Sequence, residues 1–273
     1  MQTADSDNNV FGRTLNPHKL TLTAGGSSGG EGALIAMRGS ILGVGTDIAG
    51  SIRIPALCCG TYGFKPSTNR VPYSGQAEPG RDGMPGVMPT AGPLCTSTRD
   101  MEFFMQKVIS KAPWDFDAKA LFMPWRVVEG KEKLRIGILP PDLHFPLTPP
   151  VARAMAVAVR KLSASIHELV ELTNIPSIKD ATDLCGEFFY LDNTNVPFQH
   201  IQASGEPVIP SIASIQFAHK ESYTLEDLFE LNSRRNVLEE DWRKLFVQQK
   251  LDVIVAPAAE NVAVPHDTYG VPP

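Results

Sequence analysis

The sequence predicts an α/β fold, a mixed β-sheet flanked by helices. Three observations carry this. LRIGILP (134–140) is a buried-type strand, and a proline-dense turn separates it from the amphipathic run VARAMAVAVRKLSAS (151–165) and the strand-like HELVEL (167–172). A long helical pattern over 224–249 leads into a second apolar strand, LDVIVAPA. The 273 residues, 42% hydrophobic and 20% charged, suffice for one large α/β domain or two small ones.

Taken in order, Ser28 is a capping residue for a helix over 29–39, with Glu31 in its first turn near the positive end of the dipole. Gly39-Ser40 ends that helix, and ILGVGTDI (41–48) follows as a short buried strand whose glycines imply close backbone approach. Residues 49–97, rich in Gly and Pro, read as ordered loop. Helix returns at 98–111 (capped by Ser97 or Thr98), before the strand at 134–140. No repeat or low-complexity segment appears.

The net charge of −5 argues against nucleic acid or an anionic membrane surface as partner, since both reward clustered Lys and Arg. No apolar run approaches the ~18 residues of a membrane helix. The polar, acidic start MQTADSDNNV lacks the basic-then-apolar opening of a secretory signal, so a cytoplasmic location is expected. Cys58, Cys59, Cys95 and Cys185 have no zinc-type spacing and read as reduced, buried thiols. The six histidines are scattered, so no metal is expected. Trp114, Trp125 and Trp242 read as core or interface residues.

Chemistry concentrates in AGGSSGGEGALIAMRGSILGVGTDIAGSIRIP (24–55), which holds four serines and no histidine. One reading is a nucleophile elbow: Gly26-Ser27-Ser28-Gly29-Gly30 fits G-x-S-x-G, KLTLTA (19–24) supplies a strand before it, and Asp252 and His266 follow in the order an α/β-hydrolase esterase uses. The other uses the whole stretch. GGSSGGEGA, GTDIAGSIRIPA and CGTYGFKPS together resemble the amidase signature family, hydrolases of carboxamides. Agreement over QTADSDNNVFGRTLNP and GGEGALIA points to the branch of fungal acetamidases and fatty acid amide hydrolase.

The resemblance implies one amidase signature domain over 1–273, with its core at about 24–67. It implies Ser51 as nucleophile, Ser27 as the hydroxyl that relays its proton, and a cis peptide at Ser27. It places the oxyanion hole on Ile48, Ala49, Gly50 and Ser51, and gives Asp47, Arg53 and Ser28 supporting roles. Ala49, where the family often has glycine, adds strain if its φ is positive. The base is a lysine upstream of GGSSGG, neutral because its site is desolvated. Lys19 is the sole lysine before Ser27, in a stretch the family does not use, and Lys65 does not match either. The chain therefore reads as the middle of an amidase, incomplete at both ends.

A small-molecule amide is the expected partner, its acyl side touching residues 1–8 and 46–51, with no cofactor; a homo-oligomer is compatible with the sequence. A non-catalytic remnant with a binding or regulatory role is the second reading, and the Ser28 esterase the third.

Overall fold

The computed structural model describes residues 4–76, 80–81, 83–84, 86–192, 194–213 and 222–268. The chain divides into two compact units. One comprises Met1–Val127, Thr194–Ala218 and Ala263–Pro273; the other comprises Val128–Asn193 and His219–Val262.

The first unit opens with a hairpin, β1 (Asp7–Asn8) against β2 (Gly12–Arg13). Helix α1 (Gly29–Ala36) then leads into β3 (Leu42–Asp47), and α2 (Arg53–Cys59) into β4 (Tyr62–Gly63). Strand β5 (Thr90–Cys95) lies between β3 and β4 and pairs antiparallel with both. Ile35 of α1, Ile52 and Ala56 at α2, and Leu94 of β5 make a buried apolar cluster that fixes both helices to this sheet. Helix α3 (Thr98–Ile109) packs Met105 and Ile109 onto Val71 and Ala91, with Trp114 and Trp125 against the same cluster.

In the second unit β6 (Arg135–Ile138) is central and parallel to both β7 (Glu168–Glu171) and β8 (Val253–Val255). Helix α4 (Pro149–Ser163) connects β6 to β7, the crossover that parallel strands require. After β7 come α5 (Ile178–Phe189), α6 (Val196–Ser204) and α7 (Pro210–Ala213). Of these, α6 and α7 belong to the first unit. Helix α8 (Leu225–Gln249) starts at a capping box in which Thr224 and Asp227 satisfy each other's N–H groups, and three residues separate its end from β8.

The α/β class with mixed pairing and flanking helices is as the sequence predicts. Parallel and antiparallel pairing fall in separate three-stranded sheets. Residues 49–97 depart from the expectation of ordered loop, because α2, β4 and β5 lie within them. KLTLTA forms no strand either: its Leu22 and Thr23 make isolated bridges only, to Pro265 and Leu15. The thiols are free, with Cys59 and Cys95 buried but Cys58 and Cys185 only half-buried.

Candidate active site

Both serine-bearing loops sit at the edge of the antiparallel sheet. Ser27 precedes α1, and Ser51 lies between the end of β3 and the start of α2. The Gly26–Ser27 peptide is cis, the form the resemblance implies. Gly26 has no alternative at this point, since a Cβ there would lie 2.1 Å from the Asp5 carbonyl oxygen.

Ser28 joins the two loops. Its N–H donates to the Ser51 carbonyl at 3.1 Å. Its hydroxyl accepts from the Thr46 N–H at 3.2 Å and faces the Thr46 carbonyl at 3.4 Å. Ser28 does occupy the position before α1, but this engagement leaves its side chain making no cap bond. The expected capping role is therefore replaced by a clamp onto β3. The elbow reading loses its framework as well, because no strand precedes Ser28 over residues 19–24. Its two proposed partners are also engaged elsewhere, His266 with the Leu20 carbonyl and Asp252 with Lys131.

Asp47 shapes the turn that carries Ser51. It is fully buried, and its carboxylate accepts from the N–H groups of Gly50 (2.7 Å), Ile52 (3.1 Å) and Arg53 (3.3 Å). The Arg53 guanidinium grips both oxygens at 3.0 Å. Burial on its own raises the carboxyl's pKa, but the Arg53 bonds and charge with the Ile52 and Gly50 N–H groups outweigh it and hold it below the ordinary value. Gly50 has φ 137°, in the region that favours glycine, whereas Ala49 has no positive φ and adds no strain of that kind. Among the described residues the N–H groups of Ile48, Ala49 and Ser51 carry no hydrogen bond, while that of Gly50 is held by Asp47.

A cleft of about 650 Å³ opens beside Ser27, with Asn8, Phe11, Arg13, Glu31 and Thr46 among its walls; Ser51 is not part of its lining. Arg13 in that wall is held by Asp267 at 2.6 and 3.0 Å and by Asp7 at 3.4 Å. Of the segment expected near the acyl group, residues 1–3 lie outside the described residues. Among the described residues no group of three or more His, Cys, Asp or Glu is placed to hold a metal ion. Among the described residues no helix is long and apolar enough to cross a membrane.

The family model described as Amidase matches residues 1–270. The chain belongs to the amidase signature family. It is 40% identical over 270 residues to an amidase of Gibberella moniliformis, covering 97% of this chain and 51% of that one. It is 34% identical to the acetamidase of Aspergillus oryzae, covering 98% and 52%. Among solved structures, fatty acid amide hydrolase superposes with a TM-score of 0.87 at 33% identity, covering 96% of this chain and 48% of that one. The chain thus spans about half the length of the relatives it matches.

Asp5, Asn16 and Thr23, all buried, also belong to this region and escaped the sequence reading. Polar residues in an irregular segment carry no periodic signal of burial. Agreement with the family over QTADSDNNVFGRTLNP covers Asp5 and Asn16 without singling out their side chains, and Thr23 lies beyond it.

Proposed function

We propose that this amidase-family chain carries the nucleophilic half of an amide-hydrolysing site. Ser51 Oγ attacks the carbonyl carbon of a carboxamide, and its proton passes to the Ser27 hydroxyl, which can accept one hydrogen bond while donating another. Ser27 hands that proton to the lysine base the resemblance implies, which we assign to no lysine of these 273 residues. The oxyanion forms against the 48–51 turn, where the N–H groups of Ile48, Ala49 and Ser51 are not otherwise engaged; each such donor contributes about 3 kcal/mol to transition-state stabilisation. The C–N bond then breaks with a proton delivered to nitrogen, leaving an acyl group on Ser51 that water removes.

Supporting this most directly is the Ser28 N–H to Ser51 carbonyl bond, which ties the two serine loops together. Named relatives act on acetamide and on fatty acid amides, so a carboxamide yielding an acid and ammonia or an amine is the proposed substrate class.

The test is intact mass after exposure to a fluorophosphonate, with Ser51→Ala as control. Where the lysine base is present one adduct, lost in the control, is expected; without it labelling should fall by orders of magnitude, and an adduct on these 273 residues alone would mean that another group takes the lysine's part. A folded wild-type chain that takes no adduct refutes an activated Ser51 and favours the non-catalytic reading. An adduct that survives Ser51→Ala and disappears in Ser28→Ala returns the elbow.

A further inference from the structure

Three buried polar side chains lie behind Ser27, away from the Ser28–Ser51 clamp: Asp5, Asn16 and Thr23, at 8%, 1% and 2% exposure. Buried polar groups lower stability unless they are hydrogen-bonded, so where these bonds go is informative. The Thr23 hydroxyl donates its one hydrogen to Asp5 Oδ1 at 2.7 Å. Its lone pairs therefore face the Gly25 N–H, which donates to it at 2.9 Å. With its hydrogen on Asp5 and its lone pairs toward Gly25, the Thr23 hydroxyl has one direction in this relay. The same Asp5 oxygen accepts from the Ser6 N–H at 2.9 Å, and the Asp5 backbone is seated against Gly26.

Asn16 extends the network to the other serine segment. Its Nδ2 group donates to the Thr23 carbonyl at 3.0 Å and to the Cys58 carbonyl at 2.8 Å, while Oδ1 accepts from the His18 N–H at 2.9 Å. Cys58 belongs to α2, the helix that follows Ser51. A second tie runs parallel, from the Cys59 thiol to the Ala24 carbonyl at 3.4 Å.

We propose that Asp5, Thr23 and Asn16 are positioning residues that set the Ser27 backbone against the Ser51 segment, acting through residues 23–26 and α2. The inference rests on the reading of Ser27 and Ser51 given above. Ser27 is then held from two sides, by Ser28 in front and by this bracket behind. Alignment matters here because a proton relay works only at hydrogen-bonding distance.

Thr23→Val keeps the β-branched shape and deletes the hydroxyl, and Thr23→Ser restores it. Two readouts are compared: Ser51 phosphonylation by a fluorophosphonate, split into maximal rate and half-saturating concentration, and residue-resolved amide exchange. Thr23→Val is expected to lower the maximal rate about tenfold at unchanged half-saturation. It is expected to speed exchange at Gly25 about tenfold while the β3–β5 ladder keeps its protection. Thr23→Ser returns both to wild-type values. Wild-type behaviour of Thr23→Val in both readouts, or failure of Thr23→Ser to restore them, overturns the bracket. Wild-type protein that takes no adduct refutes the functional reading instead, and the Gly25 amide alone then decides the bracket. Should Thr23→Val lose ladder protection and unfold, Asp5→Asn serves in its place. It keeps an acceptor oxygen but not the charge, so Gly25 exchange should rise about threefold, and unchanged exchange overturns the proposal.

Discussion

Asp47 brings a full negative charge to a position with no solvent exposure, and its surroundings determine what its loss would do. Three N–H groups of its own turn and both arms of Arg53 converge on its two oxygens. Arg53, by contrast, leaves about half of its side chain in water, 51% exposed. The pair is therefore asymmetric. Asp47→Asn puts an NH2 group where at least one donor already points, and should cost about 2–4 kcal/mol. Arg53→Ala leaves the carboxylate its three backbone donors and removes a partner already half in water, so it should cost less, about 1–2 kcal/mol. Urea unfolding of the two variants measures this directly. Equal losses would mean that the ion pair, not the backbone cage, holds the turn that presents Ser51.

Among the elements, α3 separates capping from packing. Ser97 accepts from the Asp100 N–H at 3.2 Å at its start, and Ile109, 1% exposed, is buried at its end. Ser97→Ala should cost about 1 kcal/mol, and Ile109→Ala about 2–5 kcal/mol, because the cluster with Val71 and Ala91 cannot fully collapse into the space. A urea series in which Ser97→Ala costs as much as Ile109→Ala would place α3's anchorage at its cap. This helix was legible because cap and apolar period coincide in the sequence, as they do at Thr224 for α8. Strand β5 was not. Pro93 lies in its middle, and proline argues against a central strand. The structure accommodates it by geometry: the Pro93 carbonyl accepts from the Phe64 N–H, on the β4 side, where β4 pairs only with Leu94 and Cys95. The absent N–H thus falls past the end of a two-residue ladder. Helix α2 was hidden similarly, a seven-residue element too short for a period and bounded by glycine. At the site, the motifs marked Ser27, Ser51, Asp47 and Arg53, whereas the clamp by Ser28 and the burial of Asp5, Asn16 and Thr23 depend on tertiary contacts that no local pattern encodes.

For the whole molecule, different residues govern stability at the two ends of the pH scale. On the acid side stand Asp47 and Asp117. The Ser74 hydroxyl, with the N–H groups of Lys119, Tyr73 and Ser74, holds the Asp117 carboxyl well below its usual range. Both carboxyls are depressed in the folded state, so their stabilisation is complete above the unfolded value of ~3.9. It is lost as pH falls from there through the folded values, because the unfolded chain takes up protons first. On the alkaline side burial pushes the Cys58 thiol up to about 12 and the Cys59 thiol up to about 11. Here the sign is reversed: the folded state keeps the thiols protonated while the unfolded chain ionises near ~8.5. Their contribution is complete below that value and declines as pH rises through the folded values, by about 1.4 kcal/mol per pH unit for each thiol. Urea unfolding free energies should therefore be level from about pH 5 to about pH 8 as far as these groups are concerned, and fall on either side. Burial raises the Cys95 and Cys185 thiols as well, so in a Cys58→Ala/Cys59→Ala variant the alkaline arm should become shallower without vanishing, while the acid arm keeps its slope. An alkaline arm as steep as that of the wild type would remove Cys58 and Cys59 as its source; an acid arm that also flattened would mean that the double substitution had disturbed the Asp47 cage or the Asp117 site.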